Sequence, residues 1–240
     1  MQINNSDRRK ARYGMPPADQ ILFNREFVVG YSYLFRQARW VLQVLDPQKN
    51  EEEEYVDRVD CFRSDVRIPE MFRADLHDYE GGEYDRGHLV SSADRRRSRV
   101  ENSETFLLSN MAPQRKGFNR GIWKELEGAI RTLASQKKTV EVYVISGPLF
   151  QIDRNKINFT GDDVIVPHCF FKSVLAETHR GTLSMYSFII PNRKTNKPLS
   201  DFLTKTTEIE FFTGLMLWDR LRGAKAEKLK ATKKKSVWKY

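Results

Sequence analysis

Between Asn119 and Gln136 the residues Ile122, Trp123, Leu126, Ile130 and Leu133 recur at helical spacing. One apolar stripe of this kind commits the stretch to an amphipathic helix laid on an apolar surface. The segments that could supply that surface are strands. Phe27 to Tyr33, Arg39 to Leu45, Thr139 to Ser146, Val164 to Val166, Cys169 to Phe171 and Ser184 to Ile190 are rich in β-branched and aromatic residues. Gly147-Pro148 is expected to break the strand before it, and Phe106-Leu107-Leu108 reads as a further short strand. Pro113 is expected to force an irregular segment up to Asn119. Leu199-Ser200-Asp201 opens a last helical region, and Phe211 to Trp218 packs near the end. Strands and helices do not strictly alternate, so the expected class is α+β, a single domain with a central, mostly antiparallel sheet flanked by helices. A chain of 240 residues, 40% hydrophobic, is long enough to bury a core.

Composition excludes several classes. No apolar run approaches the roughly 18 residues of a membrane span. The first ten residues carry charge but no apolar core, so they do not read as a secretory signal. The expected location is cytoplasmic, unless an export or transit segment has been removed. Two cysteines, Cys61 and Cys169, cannot build a disulfide framework or a four-cysteine zinc site and read as packed thiols. The formal charge of +9 is uneven. Residues 221–240 hold eight basic residues against the single acid Glu227, which leaves little excess for the rest. That tail could bind phosphate backbones or serve solubility. Glu51 to Glu54 reads as a solvated loop, and Asp94 to Arg99 (DRRRSR) as either a solvated loop or a nucleic-acid contact.

The chemistry concentrates in two places. Asp85-Arg86-Gly87-His88 offers a carboxylate, a fixed cation, a glycine that admits close backbone approach, and an imidazole that titrates near neutrality. Asn119-Arg120-Gly121-Ile122-Trp123-Lys124-Glu125-Leu126-Glu127 offers a neutral amide oxygen and, two turns on, another carboxylate. At about 100° per residue, Asn119 and Glu127 project within about 80° of each other. A hard cation such as Mg²⁺ accepts oxygen ligands and keeps several waters, so Asn119 could hold one weakly, with Glu127 bonded to one of those waters. Arg131 could reach phosphate or pair with Glu127 at i, i+4. A base, a cation, a metal ligand and a carboxylate form the set that phosphodiester hydrolysis needs. Taken singly, the first motif is a turn with a surface histidine, and Asn119 a helix N-cap. His77, His168 and His179 have no such company.

At these residues the chain resembles the DNA/RNA non-specific endonucleases of the ββα-metal class, closest to the mitochondrial endonuclease G branch. Lys10 to Pro16 (KARYGMP), Phe106 to Gln114 (FLLSNMAPQ), Val142 to Phe150 (VYVISGPLF), Val166 to Leu175 and Ser184 to Asn192 follow in the family's order. The resemblance covers about 11–220, which divides the chain into an arm (1–10), the nuclease domain (11–220) and a basic tail (221–240). It implies His88 as general base and Asn119 as the protein ligand of one Mg²⁺ or Mn²⁺. Arg86 would stabilise phosphate charge, Glu127 would hold a metal-bound water, and Arg131 and Asp85 would assist. Asn110 falls at a supporting asparagine. It further implies DNA and RNA as substrates, 5′-phosphate and 3′-hydroxyl ends, and a homodimer. An inhibitor or activator protein is a candidate partner. Two departures stand out: Val90-Ser91-Ser92 follows the first motif, and Arg120, a candidate phosphate contact, follows Asn119. The alternative is a catalytically idle nuclease fold that binds or recruits nucleic acid.

Overall fold

The computed structural model describes residues 5–46, 55–150, 158–161 and 164–238; the Glu51–Glu54 run lies outside them. In chain order the elements are α1 (Asn5–Lys10), β1 (Gln20–Phe23), β2 (Phe27–Ser32), β3 (Gln37–Leu45), β4 (Tyr84–His88), α2 (Arg99–Glu104) and β5 (Met111–Arg115). The functional helix follows as α3 (Lys116–Phe118), a wide π turn (Asn119–Trp123) and α4 (Lys124–Ala134). Then come β6 (Thr139–Leu149), β7 (Phe159–Thr160), β8 (Val164–Ile165), β9 (Cys169–Thr178) and β10 (Leu183–Pro191). The last described elements are β11 (Leu203–Thr204), α5 (Thr206–Thr213) and α6 (Ala224–Ala231).

Seven strands form one antiparallel sheet in the order β1-β2-β3-β6-β9-β10-β11. Its alternating side chains are buried on both faces. Val142 and Val144 join Val41, Phe170 and Val174 against the apolar stripe of α4, where Leu126, Ile130 and Leu133 are buried. Tyr143 and Ile145 point the other way, into a second core with Trp40, Phe171, Leu217 and Trp218. Coverage from both sides explains why β6 is apolar at nearly every position.

Four local expectations change. The Asp85–His88 motif is a strand, not a turn: β4 pairs antiparallel with β5, His88 opposite Met111 and Arg86 opposite Pro113. Pro113 therefore lies inside a strand of a two-stranded ribbon, where a missing ladder donor is tolerated. Phe106 to Leu108 forms no strand; Leu107 makes one bridge to Arg63 and a 3-10 turn follows. Gly147-Pro148 does not end β6, which pairs through both to Leu149. A Cβ on Gly147 would sit 2.3 Å from the Arg39 carbonyl oxygen, so glycine permits the neighbouring strand's approach.

The described flanks are docked. Lys10 is buried, donating to the carbonyls of Asn24 (2.9 Å) and Arg25 (2.7 Å), and Arg9 pairs with Asp46 and Glu141. In the basic tail, Lys230 is buried and pairs with Glu210 at 3.0 Å. Trp238 enters the first core, packs on Tyr186 and Phe188, and donates from Nε1 to the Ala129 carbonyl at 3.1 Å. The tail thus braces the back of α4. Trp238→Ala should cost about 3–5 kcal/mol in urea unfolding; a loss under about 1 kcal/mol would show that this packing contributes little.

Candidate active site

A cleft of about 780 Å³ opens where the β4–β5 ribbon meets the functional helix. It gathers Asp85, Arg86 and His88 from the strand with Asn119, Arg120, Glu127 and Arg131 from the helix. The two sequence motifs therefore form one site. His77, His168 and His179 do not line it.

His88 is fixed by its backbone and caged by rings. Trp123 Nε1 donates to the His88 carbonyl at 3.1 Å. Asn110, fully buried behind the cleft, accepts from Val90 N at 3.0 Å and donates to the carbonyls of Val90 (3.0 Å) and Thr105 (2.8 Å). It positions the strand's exit without reaching the cleft. Gly87 is required by packing, since a Cβ there would lie 2.2 Å from the Gln114 side chain. Phe106 and Phe62 meet the imidazole edge-on at 4.9 and 5.7 Å, and Arg58 stacks over Phe106 at 4.7 Å. Burial, with the Arg58 cation nearby, pushes the His88 imidazole down from 6.5 to about 3. The ring is neutral at physiological pH, and its Nε2 has no hydrogen-bond partner among the described residues.

Asp85 ties strand to helix. It accepts from Asn119 Nδ2 at 2.9 Å and from Arg120 Nε and Nη2 at 2.9 and 2.8 Å. These donors hold its carboxyl below the usual range against the opposing effect of burial. An ionised carboxylate can only accept, so it fixes the amide nitrogen of Asn119 and leaves Oδ1 as that side chain's ligand atom. Asn119 has helical φ and ψ (−57°, −49°) and closes α3 at its C-terminal end, so it is not a helix N-cap. The straight-helix projection also needs correcting, because the π turn bends at Gly121 (φ −105°, ψ −114°) between Asn119 and Glu127. Both still line the cleft.

The cations divide into two kinds. Arg86 is exposed, lies over the Phe62 ring at 4.4 Å, and makes no ion pair among the described residues. Arg120 is engaged by Asp85, and Arg131 pairs at 2.7 Å with Asp94. The DRRRSR run is not a simply solvated loop: Arg95 is buried on Gln43 and Val44, and Arg97 pairs with Glu26 and Glu101. Glu127 is raised to about 7, chiefly by burial and further by Asp94, against the favourable charges of Lys172 and Arg131. Its Oε1 has no partner among the described residues.

Sequence reading missed Arg58, Phe62, Phe106 and Lys172. Phe106 sits in a quoted family segment, but only its position beside His88 gives it a role. Arg58 lies among alternating charges (Asp57-Arg58-Val59-Asp60) with nothing to single it out.

Among the described residues no three His, Cys, Asp or Glu side chains gather as a metal cage. One amide oxygen beside two orphaned polar atoms, His88 Nε2 and Glu127 Oε1, instead suits a cation held mostly through its own waters.

His88 also makes acid stability testable. Its folded pKa is depressed, so its contribution is present above about pH 6.5 and lost as pH falls through about 3. His88→Leu should therefore lose less Tm than the parent between roughly pH 7 and pH 4. Equal losses would mean the imidazole titrates normally.

Residues 4–224 match the family described as DNA/RNA non-specific endonuclease. The chain is 35% identical over 222 residues to mitochondrial endonuclease G of Caenorhabditis elegans, spanning 88% of this chain and 71% of that one. It is 34% identical over 232 residues to human mitochondrial endonuclease G, with 92% and 76% covered. A nuclease of Syncephalastrum racemosum is 36% identical over 227 residues, with 87% and 70% covered. In three dimensions the crystal structure of the EndoG/EndoGI complex superposes with a TM-score of 0.83 at 31% identity, covering 92% of this chain and 95% of that one. With the antiparallel sheet and the assembled cleft, these likenesses make the chain an endonuclease, a member of the DNA/RNA non-specific endonuclease family.

Proposed function

We propose that this endonuclease hydrolyses phosphodiester bonds of both DNA and RNA with a divalent metal, Mg²⁺ or Mn²⁺, and leaves 5′-phosphate and 3′-hydroxyl ends. The observation that carries the reading is the neutral His88 Nε2, without a hydrogen-bond partner among the described residues, in the same cleft as Asn119 and Glu127. Asn119 Oδ1 would hold the metal, and Glu127 would bond a water of its hydration shell. When bound, the metal supplies charge neutralisation at the phosphate and the leaving oxygen.

His88 Nε2 takes a proton from water as the water oxygen bonds to phosphorus. The P–O3′ bond then breaks, and the 3′ oxygen gains a proton. A low proton affinity in the free protein is consistent with this role, because the phosphate anion brought beside the ring favours the imidazolium formed during the step. Arg86, which no carboxylate among the described residues neutralises, would meet the phosphate in bidentate fashion. Asp85 orients Asn119, and Arg120 and Arg131, each already held by a carboxylate, would assist from the cleft wall. Recognition through phosphate and metal carries no base information, which is consistent with non-specificity. The idle-fold alternative gains nothing here, since every proposed group is in place.

Plasmid and RNA should be cleaved with Mg²⁺ and spared with chelator. His88→Ala should lower kcat by about 10²–10⁴-fold, and Asn119→Ala should weaken Mn²⁺ binding. Cleavage that ignores the chelator would sink the metal assignment. Undiminished cleavage by the His88 variant would sink the base.

A homodimer belongs to the same proposal. Phe211, Phe212 and Met216 are 82%, 58% and 66% exposed, and Phe212 borders a small cleft containing the stacked pair Phe35–Phe150. Exposed apolar side chains so grouped favour an interface. Phe212→Glu should convert a sedimenting dimer to a monomer of unchanged fold; a parent that is already monomeric refutes this assembly.

A further inference from the structure

A lysine side chain lies buried directly under the cleft, where burial weakens its hold on a proton and the Glu127 and Asp94 carboxylates strengthen it. Lys172, on β9, is only 1% exposed. Its Nζ donates to the Leu89 carbonyl at 3.3 Å and to Ser146 Oγ at 3.1 Å, and lies 4.0 Å from the centre of the Trp123 ring. Two of these contacts lead to the site. Leu89 follows His88 directly, and Trp123 is the residue that holds the His88 carbonyl. Glu127, Asp94 and Arg131 are the charged groups that act on the ammonium, with the two carboxylates favouring it and Arg131 opposing it.

Stability alone gives no reason for such a group. A buried cation loses hydration that its partners recover only in part, and an apolar chain of similar length would fill the space at no such cost. We propose that Lys172 is a positioning residue for the cleavage reaction: its buried ammonium pins the His88 backbone to Trp123 and sets the positive charge that Glu127 faces. Loss of the charge would leave the carboxyl in a desolvated site with less opposing its protonation, so it would meet water as a neutral, weaker acceptor in place of a carboxylate. The same loss would free the backbone after His88. The proposal rests on the hydrolytic roles given above to His88 and Glu127.

The test compares Lys172→Met, Lys172→Gln and Lys172→Arg with the parent. Readouts are Tm, kcat and KM on plasmid with Mg²⁺, Mn²⁺ affinity by electron paramagnetic resonance, and the Glu127 carboxyl band by infrared difference against Glu127→Gln at about pH 8. The Met and Gln variants should stay folded and lose kcat by about 10–100-fold with KM changed less than about threefold. Their spectra should show a protonated carboxyl that the parent lacks, and Arg should restore part of kcat. Full kcat in folded Lys172→Met overturns the assignment, as does lost kcat with Glu127 still ionised. Failure of both neutral variants to fold would make Lys172 a structural residue and also overturn it. A parent that cleaves nothing would instead remove the proposed function itself, a result separate from a working parent matched by its variant.

Discussion

The Asp85 carboxylate is the constraint from which the cleft follows. One side chain on β4 accepts from Asn119 and, through two donors, from Arg120 on the helix. That tie fixes the first strand of the ribbon to the start of the helix, which the second strand enters directly. With it, the amide of Asn119 has a defined orientation and a cation beside it is already neutralised. The hydrogen bond from Trp123 to the His88 carbonyl closes the same junction from below.

Within that junction two titratable groups are displaced in opposite directions by a common cause. Burial lowers the proton affinity of His88 and raises that of Glu127. At neutral pH the imidazole is ready to receive a proton while the carboxyl sits near its midpoint. A pair set apart in this way suits one group to act as a base and leaves the other sensitive to each charge near it. The charges of Lys172, Asp94 and Arg131 around the carboxyl are the source of that sensitivity.

Much of this was legible in residue order, for reasons that differ by element. The α4 stripe could be read because one face of a helix repeats at fixed spacing, and all five named apolar residues are buried. The two motifs could be read because their chemistry is dense and local. Gly87 and Pro113 resemble punctuation in sequence, but they serve a ribbon whose two strands are separated by the 22 residues 89–110. Lys172 was hidden inside an apolar strand, and its role arises only where β9 crosses under Trp123. DRRRSR was misleading because runs of charge are usually wet, whereas Arg95 finds backbone and amide oxygens in the interior.

The double-faced sheet has a further consequence. The helix bearing the cleft packs on one face, while Leu215, beside Phe212, belongs to the core on the other. Two copies joined through the Phe212 side would carry their clefts outward, away from the seam. Such an assembly would hold one long polymer at two separated points. Release from one cleft would leave the strand tethered by the other, at a local concentration set by the span between them and not by the bulk solution. Cuts would then cluster along a molecule already engaged, and the sheet's second face would govern the pattern of cutting without touching a phosphate.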